Sequence, residues 1–252
     1  EIPAVEAPPG RWLIALISHR QEEQNIAYKL PGSSHQVSSS PCNTPHPSLA
    51  ILNHAVGDDL HGALDRIVVV STEEDLDQIF KGKNATLREL MMTWTGVSSL
   101  PSDRIHPISV NFADFDIMKL WGDINEYMKG CDRPPGQIIA DLSGLGAHHT
   151  TALSRILKIY EMLRRLNEQE ASRALELKVF STTVDRDSPG KGWVIDQGVL
   201  DPIEDFSRAV YEFTNHADPE HLIGLIRRLS AEGELKAAIP RFIKVIRDFS
   251  AR

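Results

Sequence analysis

"QIIADLSGLGAHHTTALSRILKIYEMLRRL", from Gln137 to Leu166, is the stretch that decides the fold. It opens on a short apolar run, "QIIAD", which reads as a buried strand. It closes on apolar residues at Leu153, Ile156, Leu157, Tyr160 and Leu163, the spacing of one helix face, which predicts a long helix over 150–170. Between them lies "DLSGLGAHHTT", Asp141 to Thr151, a strand-to-helix turn.

The turn carries two glycines but neither the lysine of a P-loop nor the third glycine of a dinucleotide fingerprint; His149 stands in that glycine's place. Glycines let backbone approach a ligand closely. The helix that follows offers unpaired N–H groups and the positive end of its dipole. Ser143 adds a hydroxyl, and His148 and His149 add donors that become cationic near an anion. These groups suit a phosphate or a nucleotide edge. A purely structural turn, with Asp141 or Ser143 capping the helix, explains the local sequence equally well.

Similar strand–helix alternation runs outward from this junction. "RWLIALIS" (11–18), "RIVVVST" (66–72), "IHPISVN" (105–111), "QIIAD", "LELKVFSTTV" (175–184) and "GWVID" (192–196) read as six strands, the last two as a hairpin around Asp185 and Asp187. Pro107 suits the third strand to an edge. "SLAILNHAV", "EEDLDQIF", "ATLRELMMTW" and "DFDIMKLWGDINEYMKG" read as helices, the last closed by Gly130. The prediction is an α/β fold: a Rossmann-like open, mainly parallel sheet with helices on both faces. In strand order 3-2-1-4-5-6 the first and fourth strands flank the switch point, where ligands bind. The loops there begin at Ser18-His19-Arg20 and at Asp141-Leu142-Ser143.

Residues 19–47 read as one long polar loop, a length usually reserved for function. His35, Cys42 and His46 within it match no zinc spacing. "STEED" (71–75) reads as an N-capped helix start whose Ser71 and Thr72 also reach towards the switch point. From Asp201 the pattern is helical only, so a ligand-sensing domain over 11–200 and a helical extension or connector over 201–252 are expected. Two of the helices there open on Asp-Pro, and Pro240 kinks or splits the third.

The chain has 252 residues, 41% hydrophobic and 25% charged, the balance of a globular protein. A net charge of -8 argues against a surface that tracks a long nucleic acid. Two distant cysteines form no disulfide framework, no apolar run reaches membrane length, and a cytoplasmic protein is expected. No nucleophile elbow and no H-E-x-x-H motif is present. The chain opens on Glu1 rather than Met, and a natural protein longer than these residues is expected.

Three stretches resemble the CRISPR-associated Rossmann fold (CARF) sensor domains of type III CRISPR ancillary proteins, in the branch marked by a D-x-T-H-G signature. They are "IIADLSGLGAHHTTAL"; "ALELKVFSTTV" with "GWVIDQGVLDPIEDFSRAVYEFTNHADPEHLIGLI"; and the opening strand, a polar loop with Tyr28, a helix and "RIVVVSTEED". Together they span roughly residues 11 to 230. Ser143 stands for the signature threonine, Gly144 for its histidine and Leu145 for its glycine, with Gly146 compensating and His148 or His149 replacing a downstream basic residue.

The resemblance implies a homodimer in antiviral defence that binds cyclic oligoadenylate, as a tetra- or hexa-adenylate ring, and allosterically switches an attached effector. A two-fold ring matches an isologous dimer. It implies ligand contacts from Ser18, His19, Arg20, Tyr28, Asn43, Thr44, Ser71, Thr72 and the turn Ser143, Gly144, Leu145, Gly146, Ala147, His148 and His149. No cofactor or metal is implied. The arginine–histidine motif of ribonuclease effectors is absent from the sequence, and the effector is expected outside these residues. Two alternatives are a slow ring nuclease acting on the same ligand, which needs only in-line positioning of a ribose hydroxyl, and a Rossmann-like enzyme acting on a mononucleotide.

Overall fold

The apolar run near the N-terminus forms strand β1 (Gly10–Leu16), and both of its faces are covered. Trp12, Ile14 and Leu16 enter one core; Leu13, Ala15 and Ile17 enter another on the opposite side of the sheet. A strand buried on both faces reads as continuous apolar sequence rather than as alternation, which is why it stands out. The computed structural model describes residues 10–18, 25–29, 42–81, 85–100, 102–111, 115–132, 134–144, 146–167, 175–185, 187–188, 190–200 and 223.

The elements that follow are β2 (Ile26–Lys29), β3 (Cys42–Thr44), α1 (Pro47–Val56), β4 (Arg66–Ser71), α2 (Glu73–Phe80), α3 (Ala85–Thr95) and β5 (Ile105–Ser109). Then come α4 (Ile117–Lys129), β6 (Pro135–Asp141), α5 (Ala147–Asn167), β7 (Glu176–Val184) and β8 (Lys191–Asp196). The eight strands form one sheet in the order β3-β2-β8-β7-β6-β1-β4-β5. The six expected strands thus take the expected order, with β1 between β4 and β6 and parallel to both. This is a Rossmann-like α/β fold. Residues of α1, α2 and α3 pack in one core and residues of α4 and α5 in the other.

The polar stretch 19–47 is not one loop. It contains β2 and β3, of four and three residues. β7 and β8 form an antiparallel hairpin, β2 runs parallel to β8, and β3 runs antiparallel to β2. Two reversals of direction leave β3 pointing the same way as β1 and β6. The chain therefore re-emerges at the carboxyl end of the sheet, where Pro47 opens α1.

β5 is an edge strand, as Pro107 predicts. Its flanking residues bond to β4: Arg104 O accepts from Ile67 N at 2.8 Å, and Val110 N donates to Ser71 O at 2.8 Å. Alternate residues of a strand address alternate sides, so Pro107 faces outward and its missing N–H falls on the open edge.

By contact, the chain divides into two compact units, Glu1–Asp196 and Gln197–Arg252. In the second, Gln197–Leu200 form a 3-10 turn, and Ile223 is helical and buried. The rest of the helices expected after Asp201 lies outside the described residues.

Candidate functional site

At the carboxyl end of β1 the chain stays bonded to its neighbour: Ile17 N donates to Val70 O at 3.1 Å. The hydroxyl of Ser71, at the end of β4, donates to the carbonyl of Ile17. On the other side β6 ends at Asp141, and Leu142 N donates to Phe180 O at 2.8 Å, so the strand's pairing with β7 runs one residue further. Both strands beside the switch point are therefore pinned up to the point where the turn begins.

Asp141 organises that turn. Its Oδ1 accepts from Ser143 N at 2.9 Å, an Asx turn that bends the chain out of the strand. Its Oδ2 accepts from Ser48 Oγ, on the first turn of α1, at 2.5 Å. The carboxyl is 1% exposed, and burial raises its pKa above the usual carboxylate range, against the lowering effect of the bonds from Ser143 and Ser48.

Gly144 lies directly against β1. A Cβ placed on it would sit 2.0 Å from Leu16 O and 2.7 Å from Ile17 Cα. Gly146 is exposed, and a Cβ there would meet only His149 Nδ1, at 4.0 Å. Its carbonyl accepts from His149 N at 3.0 Å and Thr150 N at 3.2 Å, so α5 starts here. Thr150 Oγ1 ties the first turn back to Leu142 O at 3.2 Å.

The two histidines part company. His148 is exposed at the start of α5. His149 is buried, its ring 4.4 Å from that of Phe115 in an edge-on contact. Burial, and then the neighbouring His148, hold its imidazole below the ordinary histidine value. Of the two expected donors, only His148 is exposed, while the His149 ring packs edge-on against Phe115.

Several other expected contact residues have structural tasks. Tyr28 is a core residue of β2, its ring lying where a Cβ on Gly192 would come within 2.9 Å. Burial raises its phenol pKa, against a hydrogen bond with Thr182. Ser71 is fully buried and its hydroxyl holds the end of β1. Thr72 caps α2, its Oγ1 accepting from Asp75 N at 3.1 Å. Thr44 is buried, and its Oγ1 accepts from His46 N at 3.0 Å. Asn43 is exposed on β3. Ser18 stays at the switch point. Ala147 opens α5. His19, Arg20 and Leu145 lie outside the described residues, as does His35.

Beside the turn is a narrow cleft lined by Leu16, Ile17, Ser18, Pro45, His46, Pro47, Ser48, Leu87 and Asp141. Its volume is about 10 Å³, room for one water-sized group. His46, Ser48 and Asp141 are polar members of this lining that the sequence did not single out as candidate contacts. The usable signal was Pro47 after a histidine and ahead of an apolar helix, since proline favours the first helical position. Among the described residues no group of three or more His, Cys, Asp or Glu side chains is arranged to hold a metal. None of the described helices is long and apolar enough to cross a membrane.

The chain matches no protein-family model and no curated protein. Among solved structures it is similar to Enterococcus italicus Csm6 bound to cyclic hexa-2'-fluoro-hexa-dAMP, with 11% sequence identity and a TM-score of 0.44. That likeness covers 96% of this chain and 56% of Csm6, so the chain spans little more than half the length of this neighbour.

Proposed function

We propose that this chain is a CARF-type sensor domain that binds cyclic oligoadenylate as a homodimer and switches an attached effector. One observation carries the proposal. The Asp141–Ser143 turn, the candidate counterpart of the D-x-T-H-G signature, lies at the switch point against the end of β1, with Gly146 and His148 exposed at the start of a long helix. A helix start with exposed backbone suits an anionic ligand without a lysine, in keeping with an acidic protein. A cyclic ring would use two such turns, one from each protomer. Ring binding would bias the dimer between two arrangements, and so reach the effector.

Calorimetric titration with cyclic tetra-adenylate and cyclic hexa-adenylate tests the proposal. The expected result is saturable binding of one ring per two chains, with a preference for one ring size. Absence of binding to either ring, with saturable binding of AMP instead, would overturn it in favour of an enzyme acting on a mononucleotide. Chromatography of the same samples after long incubation separates sensing from cleavage: a ring nuclease leaves linear products.

A further inference from the structure

His46 occupies the N-cap position of α1, but its side chain caps nothing. Its backbone there is extended, and its N–H is held by Thr44 Oγ1. The residue is only 6% exposed, and its side chain makes no cap bond to the helix. Its ring nitrogens are not among the fully enclosed unpaired atoms, so a group in the adjoining cleft can reach them.

A second polar group accompanies it. Pro47 has no N–H, and Leu49 N is taken by His46 O at 3.1 Å. The N–H of Ser48 has no acceptor among the described residues, while its hydroxyl is committed to Asp141. His46 and Ser48 both line the narrow cleft, together with Leu16, Ser18 and Asp141.

The polarity of the cleft limits what fits. Ser48 N–H is a fixed donor, and a neutral imidazole nitrogen accepts. Burial holds the imidazole of His46 below the ordinary histidine value, which favours the neutral form. No lysine or arginine is among the described lining residues, which include the buried carboxyl of Asp141, bonded to Ser48. Among the described lining residues a phosphate oxygen would meet one donor, no cation and a carboxyl. A hydroxyl accepts from Ser48 N–H and donates to the imidazole at once, and the cleft has room for one such group.

We infer that His46 and the Ser48 N–H form a subsite that recognises a ligand hydroxyl group. The inference rests on the proposed binding of cyclic oligoadenylate, in which the group of this chemistry is the ribose 2′-hydroxyl. That hydroxyl is what lets a protein tell RNA from DNA at a given site. His46 is then a specificity residue that contacts ligand, separate from the backbone and His148 of the α5 turn.

The test is a binding cycle with four probes: cyclic tetra- and hexa-adenylate, and the all-2′-deoxy form of each. The protein is compared with His46→Ala and with His46→Asn, whose side chain is a favourable helix cap and guards against loss of folding. The protein is expected to prefer its ribo ring over the deoxy ring by about tenfold or more, the scale of a buried hydrogen bond left unmade. Both variants should bring that preference to within about twofold by weakening ribo-ring binding alone. Equal affinity of the protein for ribo and deoxy rings overturns the inference, as does a His46 variant that weakens both rings alike. If the protein binds no ribo ring at all, the proposed function itself fails.

Discussion

Gly144 approaches Leu16 so closely that a methyl group on its Cα would lie 2.0 Å from the Leu16 carbonyl oxygen. Neither Gly144 nor Gly146 is in the left-handed region, so backbone freedom is not what either one supplies. Gly144 is there because the turn folds over the end of β1 with no space between. Replacing it with alanine must push backbone against backbone. Gly144→Ala should destabilise the fold by at least the roughly 1–3 kcal/mol of an overpacked core site, read from urea unfolding. A change below about 0.5 kcal/mol would show that the turn can lift off β1 freely.

Gly146 should behave in the opposite way. The space around it is open, and its backbone is compatible with any residue. Gly146→Val is expected to leave the unfolding midpoint nearly unchanged and to abolish binding of cyclic tetra- and hexa-adenylate in a titration. Unaltered affinity would make this part of the turn structural only.

His148 and His149 should separate in what their loss affects. Of the two, only His148 is exposed to meet a phosphate. His148→Ala should weaken ring binding in a titration while leaving the unfolding midpoint nearly unchanged. His149→Ala should instead lower stability, through the lost ring contact with Phe115. Equal loss of binding with equal loss of stability in the two variants would contradict this division.

Asp141 should leave a signature in stability against pH. Its folded pKa is raised, chiefly by burial, while the unfolded value is near 3.9. The neutral form favours the fold, so its contribution is complete below the unfolded pKa and is lost as pH rises through the folded one. In Asp141→Asn, the amide oxygen can accept from Ser143 N–H and the amide nitrogen can donate to Ser48 Oγ. Thermal unfolding followed from pH 3 to pH 8 should show the variant gaining on the native chain as pH rises. A constant difference across that range would mean that the carboxyl does not titrate differently on folding.

The six main strands and their order were legible because each strand is a run of apolar residues bounded by turns, and because crossovers leave few arrangements for alternating strands and helices. β2 and β3 were not legible. They are four and three residues long, and β2, against which β3 pairs, is itself held by β8, some 160 residues further along. The turn of the candidate site was readable as a turn. Its partner was not, because Ser48 and Asp141 are 93 positions apart. Ser71 and Thr72 illustrate the converse: polar type at a strand's end suggested ligand contact, but a hydroxyl can equally serve the backbone beside it. No spacing rule separates these uses. Burial does, and burial is a property of the folded chain.

The outward-facing Pro107 has a consequence for how copies of this molecule can meet. A sheet with open edges invites another sheet to continue it, and repetition of that step leads to ribbons and aggregates. Here one edge of the described sheet lacks a donor at the centre of its strand, and the strand at the other edge has only three residues. Neither offers a rail long enough for strand-by-strand growth, so edge-to-edge polymerisation is discouraged at both ends.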